Sequence, residues 1–418
     1  MRYGDGSLPL ELPRRFDVNI IQPRSTIDAP SYPEEVVRAI ENPVNANPLS
    51  QLHNAPSTTS IVVNGSQDIN ITKRLLDTLL DLLRTFISDS QNIAIIFPID
   101  GKQKSDVKNI DRLHKTILKE GYELVFHDSR ESDSVQNIGT TPTHSTPVSV
   151  NKRFLESDIR IGLGTIRPNI FTGVTGGPMS VLPFACGIKT IIRNAKLQAT
   201  RPTGPLNLKN AASIDMMEAS KIAGLQYVLN AIPDYNGTIS KIIAGSPSDV
   251  WESSINLVRT LTEAPIRQKA DIAIVSAGGS GWDKSLYDAV DCLYAAHEAT
   301  EHGGVIVLIA ECSDGPGPTG FVRGVSDCSS ENEIDTMAET SFELGMERAR
   351  FFWRVLSSKK LVLCSRLRES IVTERFHSHA VRDPQEGLEL AKGLLVSTSK
   401  IALIPNGNTT IPIQTNSI

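Results

Sequence analysis

The feature that most restricts the fold is an alternation of short apolar runs with amphipathic segments. Ile61-Val62-Val63, residues 93–97 and residues 122–126 read as buried strands, and residues 158–164 read as another. Between the first two, Leu75, Leu76, Leu79, Leu80, Leu83 and Phe86 recur at helical spacing, and residues 105–119 repeat the pattern. After Glu263-Ala264-Pro265 the rhythm resumes: strand 271–275, the turn Gly278-Gly279-Ser280-Gly281, a helix over 283–300 and strand 305–310. Helix 333–357, strand 361–364, helix 384–396 and strand 401–404 complete it. Strands and helices alternating through short links imply parallel sheets covered by helices. The predicted fold is α/β, with two domains of mainly parallel sheets flanked by helices and a cleft between them. A chain of 418 residues is too long for one ordinary core, and the domain boundary is expected near 263–268. Residues 24–58, rich in Pro, Ser and Asn, are expected to run irregularly over the surface.

A net charge of −5, from 42 basic and 47 acidic residues, argues against nucleic acid as the main partner, because phosphate backbones select a basic face. Nothing approaches the run of about 18 apolar residues that a membrane helix needs. The opening Met1-Arg2-Tyr3-Gly4-Asp5-Gly6 lacks the apolar stretch of a signal peptide. Five cysteines, odd in number and without a CxxC pair, read as small buried hydrophobes in a reducing compartment. A cytoplasmic location is the expectation.

The densest signal lies between His127 and Asn194. It includes Gly139-Thr140-Thr141-Pro142-Thr143-His144, Gly162-Leu163-Gly164-Thr165-Ile166-Arg167-Pro168-Asn169 and Gly173-Val174-Thr175-Gly176-Gly177-Pro178-Met179. Glycine turns and hydroxyls at the ends of apolar runs suit a small anionic ligand, and equally allow close backbone packing. None of these strings matches GxGxxG or a P-loop. The ligand-binding candidates are His127, Thr140, Thr141, His144, Arg167, Thr175, Gly176, Gly177 and Arg193, with Lys196 beside them. Either histidine is as readily a satisfied hydrogen-bonder in a turn as a functional group. His377 and His379 form an HxH pair that would share a face if extended, a weak metal signal without a third ligand at recognised spacing.

These segments resemble the nickel-pincer lactate racemase family. Its pattern Gly-x-Ile-x-Pro-His-x-Phe-x-Gly reads here Gly164-Thr165-Ile166-Arg167-Pro168-Asn169-Ile170-Phe171-Thr172-Gly173, followed by Gly176-Gly177-Pro178-Met179 and Leu182-Pro183. Tyr3 to Pro13, Gly278-Gly279, Leu286-Tyr287 and Gly303-Gly304-Val305-Ile306 extend the likeness over roughly 1–20 and 60–415. The resemblance implies a first domain over 1–262, rejoined by 399–418, and a second over 268–398. It further implies an isomerase chemistry in which a nickel-carrying nucleotide is attached to a lysine, a histidine completes the metal's coordination, and two more histidines exchange the substrate hydroxyl proton.

At the positions the resemblance gives to those groups, this chain differs. The attaching lysine falls on Met179, the metal-ligand histidine on Ala195, and the two proton-exchanging histidines on Asn169 and Gly101. The carboxylate-clamping arginine falls near residues 66–70. A glutamine and a lysine fall on Asp288 and Asp291, a reversal of charge expected to repel a carboxylate. Methionine has no amine, alanine no donor for nickel, and asparagine does not titrate near neutrality. The expectation is therefore a family protein without the nickel-pincer site, carrying no cofactor or metal, whose partner is another small anionic molecule. A homo-oligomer is compatible with it. The alternatives are an active 2-hydroxyacid racemase or epimerase that uses other residues, with the nickel-pincer nucleotide as cofactor, and a non-catalytic interaction protein.

Overall fold

The computed structural model describes residues 1–12, 16–24, 30–52, 58–64, 68–87, 89–99, 117, 119–200, 204–397 and 400–415. It divides into two compact units. One comprises Thr26–Leu197 and Leu206–Val258, the other Met1–Ser25, Gln198–Pro205 and Arg259–Ile418.

The first unit is built on a six-stranded sheet in the order Ile239–Gly245, Tyr227–Pro233, Ile159–Thr165, Thr59–Val63, Ile93–Pro98 and Glu123–His127. Every pairing is parallel except that of the first two strands. The helix Ile69–Leu83 starts earlier than its leucine pattern suggests, and Leu75, Leu76, Leu79, Leu80 and Leu83 all enter the core. Phe86 lies beyond the helix end and is exposed, so the expected face stops at Leu83. The segment expected to be irregular over 24–58 contains a helix, Glu34–Glu41, whose Val36, Ala39 and Ile40 are buried. The predicted helix 105–119 falls almost wholly outside the described residues.

The other unit carries six parallel strands in the order His379–Val381, Lys360–Cys364, Thr300–Ile309, Ala270–Ser276, Lys400–Ile404 and Asp17–Ile20. Here the observed division departs from the domain ranges implied by resemblance. The segments Asp17–Ile20 and Lys400–Ile404 belong with this sheet, because Lys400–Ile404 ladders with Ala270–Ser276 on one side and Asp17–Ile20 on the other. The single helix expected over 333–357 is two, Glu331–Ser341 and Met346–Leu356. Gly345 separates them at φ +106, where a Cβ would stand 2.5 Å from the Phe321 backbone nitrogen. The helix expected over 283–300 is likewise broken into Leu286–Ala289, a 3₁₀ turn Val290–Cys292 and Leu293–Ala299.

All five cysteines are buried and unbridged. Among the described residues, no helix is long and apolar enough to cross a membrane.

Candidate functional site

In the first unit the parallel strand Ile159–Thr165 ends in the corner that carries most of the candidate residues, at the carboxyl edge where open parallel sheets present ligand sites. Beyond Thr165 the chain forms a small hairpin, Pro168–Asn169 against Gly173–Val174, and then a 3₁₀ turn, Gly177–Ser180. Thr175 closes the hairpin: its hydroxyl donates to the Thr165 carbonyl and accepts from the Arg167 amide, both at 2.9 Å. Gly176, at φ +80 and ψ −164, holds a conformation that side chains disfavour, and a Cβ there would lie 2.6 Å from Ile166 Cγ1. The Gly177 amide donates to Asn230 Oδ1 at 3.1 Å. Both glycines therefore serve close packing in this corner.

Arg167 is buried, and its charge is met inside the protein. Its Nε and Nη2 donate to Asp68 Oδ2 and Oδ1, each at 2.7 Å, and Thr165 Oγ1 adds a third bond to Oδ2 at 2.9 Å. Asp68 is the N-cap residue of the helix Ile69–Leu83, in the region where the resemblance expects a carboxylate-clamping arginine. The pair thus joins a cation and an anion where an anion-binding cation was expected. Gly101, Ser66 and Gln67 lie outside the described residues.

Asn169 and Met179 come together through Thr172. The Thr172 hydroxyl is 3.0 Å from Asn169 Oδ1 and 3.9 Å from Met179 Sδ, while Asn169 Oδ1 also accepts from the Phe171 and Thr172 amides. Asn169 thus works as a turn-capping acceptor, and the Met179 thioether is buried at 9% exposure. Ala195 is buried on the helix Ile188–Thr200. Its neighbour Asn194 donates to Asp215 Oδ2 at 2.9 Å, and Thr141 Oγ1 donates to Oδ1 of the same fully buried carboxylate at 2.7 Å. Thr141 also receives the Thr146 amide, so it closes the 141–146 turn.

His127 is almost wholly buried at its strand end. Asn151 Nδ2 approaches Nδ1 at 3.2 Å, which makes Nδ1 the acceptor and leaves Nε2–H to donate to the Cys186 carbonyl at 2.9 Å. That is a satisfied structural histidine. His144 is half-buried, with Nε2 lacking a hydrogen-bond partner among the described residues. Thr140 and Arg193 are exposed, and Arg193 makes no hydrogen bond or ion pair among the described residues.

In the other unit, the charge reversal at Asp291 is compensated. Arg348 Nε and Nη2 donate to its two oxygens at 2.8 and 2.9 Å, and the guanidinium lies 4.2 Å over the Tyr287 ring. Burial, the largest single influence, pulls the Arg348 group down, but Asp291 and the neighbouring Tyr287 and Glu347 outweigh it and hold the guanidinium well above its ordinary value. Asp288 accepts from the Ser285 hydroxyl at 2.7 Å in a helix-start cap. The expected repulsion of a carboxylate by Asp291 therefore has a counter-charge in place. His377, at φ +49, stacks 5.1 Å from the Trp353 ring, and both it and His379 are exposed. Among the described residues, no three His, Cys, Asp or Glu side chains form a metal-ligating group.

Asp68, Thr172, Asp215 and Asn230 organise these corners and escaped the reading of the sequence. Asp68 had a signal, an acidic residue immediately before an amphipathic leucine segment. Asn230, a lone amide inside the run Tyr227–Pro233, had another.

Residues 3–203 match the lactate racemase N-terminal domain and residues 266–411 the lactate racemase C-terminal domain. The chain is 27% identical over 415 residues to a lactate racemase of Thermoanaerobacterium thermosaccharolyticum, covering 97% of this chain and 96% of that protein. It is 27% identical over 387 residues to a lactate racemase of Lactiplantibacillus plantarum, covering 90% of each. The solved lactate racemase apoprotein from Thermoanaerobacterium thermosaccharolyticum superposes with a TM-score of 0.85 at 25% identity, over 99% of both chains. A crystal structure of a Thermotoga maritima protein shares the fold, with a TM-score of 0.66 at 13% identity over 94% of this chain and 100% of that one.

Proposed function

Because this chain belongs to the lactate racemase family, we propose that it has kept the family's fold while leaving nickel-dependent lactate racemisation, and that it binds or acts on another small anionic molecule. The observation that carries this reading is Met179. At the position the resemblance gives to the cofactor-attaching lysine stands a buried thioether beside the Thr172 hydroxyl. A thioether forms no amide or imine, and the Ala195 methyl supplies no electron pair to nickel. The residues present do not fit a covalently attached, nickel-carrying nucleotide.

Asn169 supports the same reading, since its carbonyl oxygen is committed to the turn it caps and its amide does not titrate near neutrality. For an anion, Arg167 is the poorer candidate, because Asp68 already neutralises it. Arg193, exposed and without an ion pair among the described residues, is the better one. Such a contact contributes about 1.5–3 kcal/mol as a charge-assisted hydrogen bond.

Intact-mass and metal analysis of protein made alongside the family's cofactor-synthesis enzymes tests the first half. The expected result is unmodified mass and no stoichiometric nickel, and a covalent adduct overturns the reading. Thermal-shift measurements against inorganic phosphate and 2-hydroxy acids test the second. Stabilisation by one of them, lost in Arg193→Ala, is expected, and no stabilisation by any of them removes the anion assignment.

A further inference from the structure

The strands Asp17–Ile20, Ala270–Ser276 and Lys400–Ile404 run parallel, so their first residues share one edge of the sheet. A cavity of about 420 Å³ opens at that edge, and Asp17, Arg24, Arg267, Gln268, Lys269 and Lys400 supply most of its charged and polar lining. Four cations there face one carboxylate. Arg24, Arg267 and Lys269 make no side-chain hydrogen bond or ion pair among the described residues, whereas many arginines elsewhere in this unit are paired. Lys400 Nζ donates to Gln268 Oε1 at 2.9 Å, a neutral acceptor that holds the ammonium without cancelling it. The charge also reaches inward. Lys359 and His297 both sit below their ordinary values, through burial first, with Lys269 contributing to each.

We propose that this cavity binds a phosphate-bearing small molecule, with Arg267 and Arg24 as forked donors and Lys269 and Lys400 as point charges. Guanidinium forks match the oxygen geometry of phosphate, and ammonium groups meet the remaining charge. The excess of cations is more than one carboxylate ligand would neutralise and suits a doubly or triply charged group. The volume falls in the usual range of about 300–1,000 Å³ for small-molecule sites, which leaves room for more than the phosphate. Its place is the amino edge of the strands, opposite the carboxyl edge where ligands of open parallel sheets ordinarily bind. The inference does not rest on the loss of nickel chemistry.

Isothermal titration calorimetry on the full chain at low salt, with inorganic pyrophosphate and ribose 5-phosphate as probes, tests it. At least one probe is expected to bind saturably, and affinity is expected to fall at least tenfold in the double variant Arg267→Ala, Lys269→Ala. Lys241→Ala, an exposed lysine on a strand of the first unit, should bind as wild type. The charge-keeping variant Arg267→Lys should retain measurable binding, which separates lost charge from lost fold. Tighter binding of pyrophosphate than of ribose 5-phosphate assigns the site to free polyphosphate, and the reverse assigns it to a phosphate ester. The proposal is overturned if neither probe gives a saturable heat, or if the double variant binds as wild type does.

Discussion

Arg167 and Asp68 face each other through two parallel contacts, Nε to Oδ2 and Nη2 to Oδ1, both 2.7 Å, with the side chains only 6% and 10% exposed. Removing one partner strands a buried charge, whereas removing both leaves an apolar volume. Asp68→Ala is therefore expected to lower unfolding stability by about 3–5 kcal/mol. The double variant Asp68→Leu, Arg167→Met should recover most of that loss in urea denaturation. If the single and double variants are equally unstable, the pair is not the feature being measured.

Met179→Lys alone is not expected to produce lactate racemase activity, even when the family's cofactor-synthesis enzymes are present. Asn169 remains a turn cap and Ala195 remains without a donor, and groups that act as a unit are not restored singly. A chiral assay of lactate after incubation checks this. Measurable racemisation would mean that the missing roles are filled from elsewhere in the chain.

Gly176→Ala is expected to destabilise the protein by roughly 1–3 kcal/mol from backbone strain, and more once Ile166 is displaced. Comparison of denaturation midpoints with those of Gly237→Ala, a glycine also at positive φ but with nothing within 4 Å of the added carbon, isolates the packing part.

Stability should fall between pH 7 and 5 through His297. Burial pushes its value below the ordinary 6.5, with Lys359 and Lys269 acting in the same direction. The unfolded chain then takes up a proton first as pH drops, so the contribution is complete above about 6.5 and is lost below it. The melting temperature of wild type should decline more steeply over this interval than that of His297→Gln. Equal slopes would locate the pH dependence elsewhere.

The strands rich in β-branched residues and the leucine helix were legible because their periodicity is local. Residues 61–63, 93–97, 271–275, 361–364 and 401–404 all lie within observed strands. Tyr227–Pro233 escaped because Asn230 and Pro233 interrupt an otherwise apolar run, and Asp17–Ile20 because its polar–apolar alternation lasts only four residues, too short to stand out from its surroundings. The corner around Gly164 to Met179 was visible as a cluster of turn residues. Its electrostatics were not, since Asp68 is 99 residues from Arg167 and only the parallel ladder between Thr59–Val63 and Ile159–Thr165 brings their loops together. The same holds for Asp291 and Arg348, 57 residues apart on different helices.

The position of Lys400–Ile404 between Ala270–Ser276 and Asp17–Ile20 sets an order of assembly during synthesis. All six strands of the first unit's main sheet have left the ribosome once Gly245 has emerged, so that unit has what it needs to fold early. The edge strand Asp17–Ile20 is translated before any of them, yet its ladder neighbour Lys400–Ile404 is made only after the other four strands of its sheet. Until then its backbone amides have no sheet partner, and the nascent chain carries an open strand while the other strands of the sheet are being made. A ribosome that stalls before residue 400 therefore releases a polypeptide with one folded unit and two unpaired sheet edges, the kind of surface that chaperones and proteases recognise.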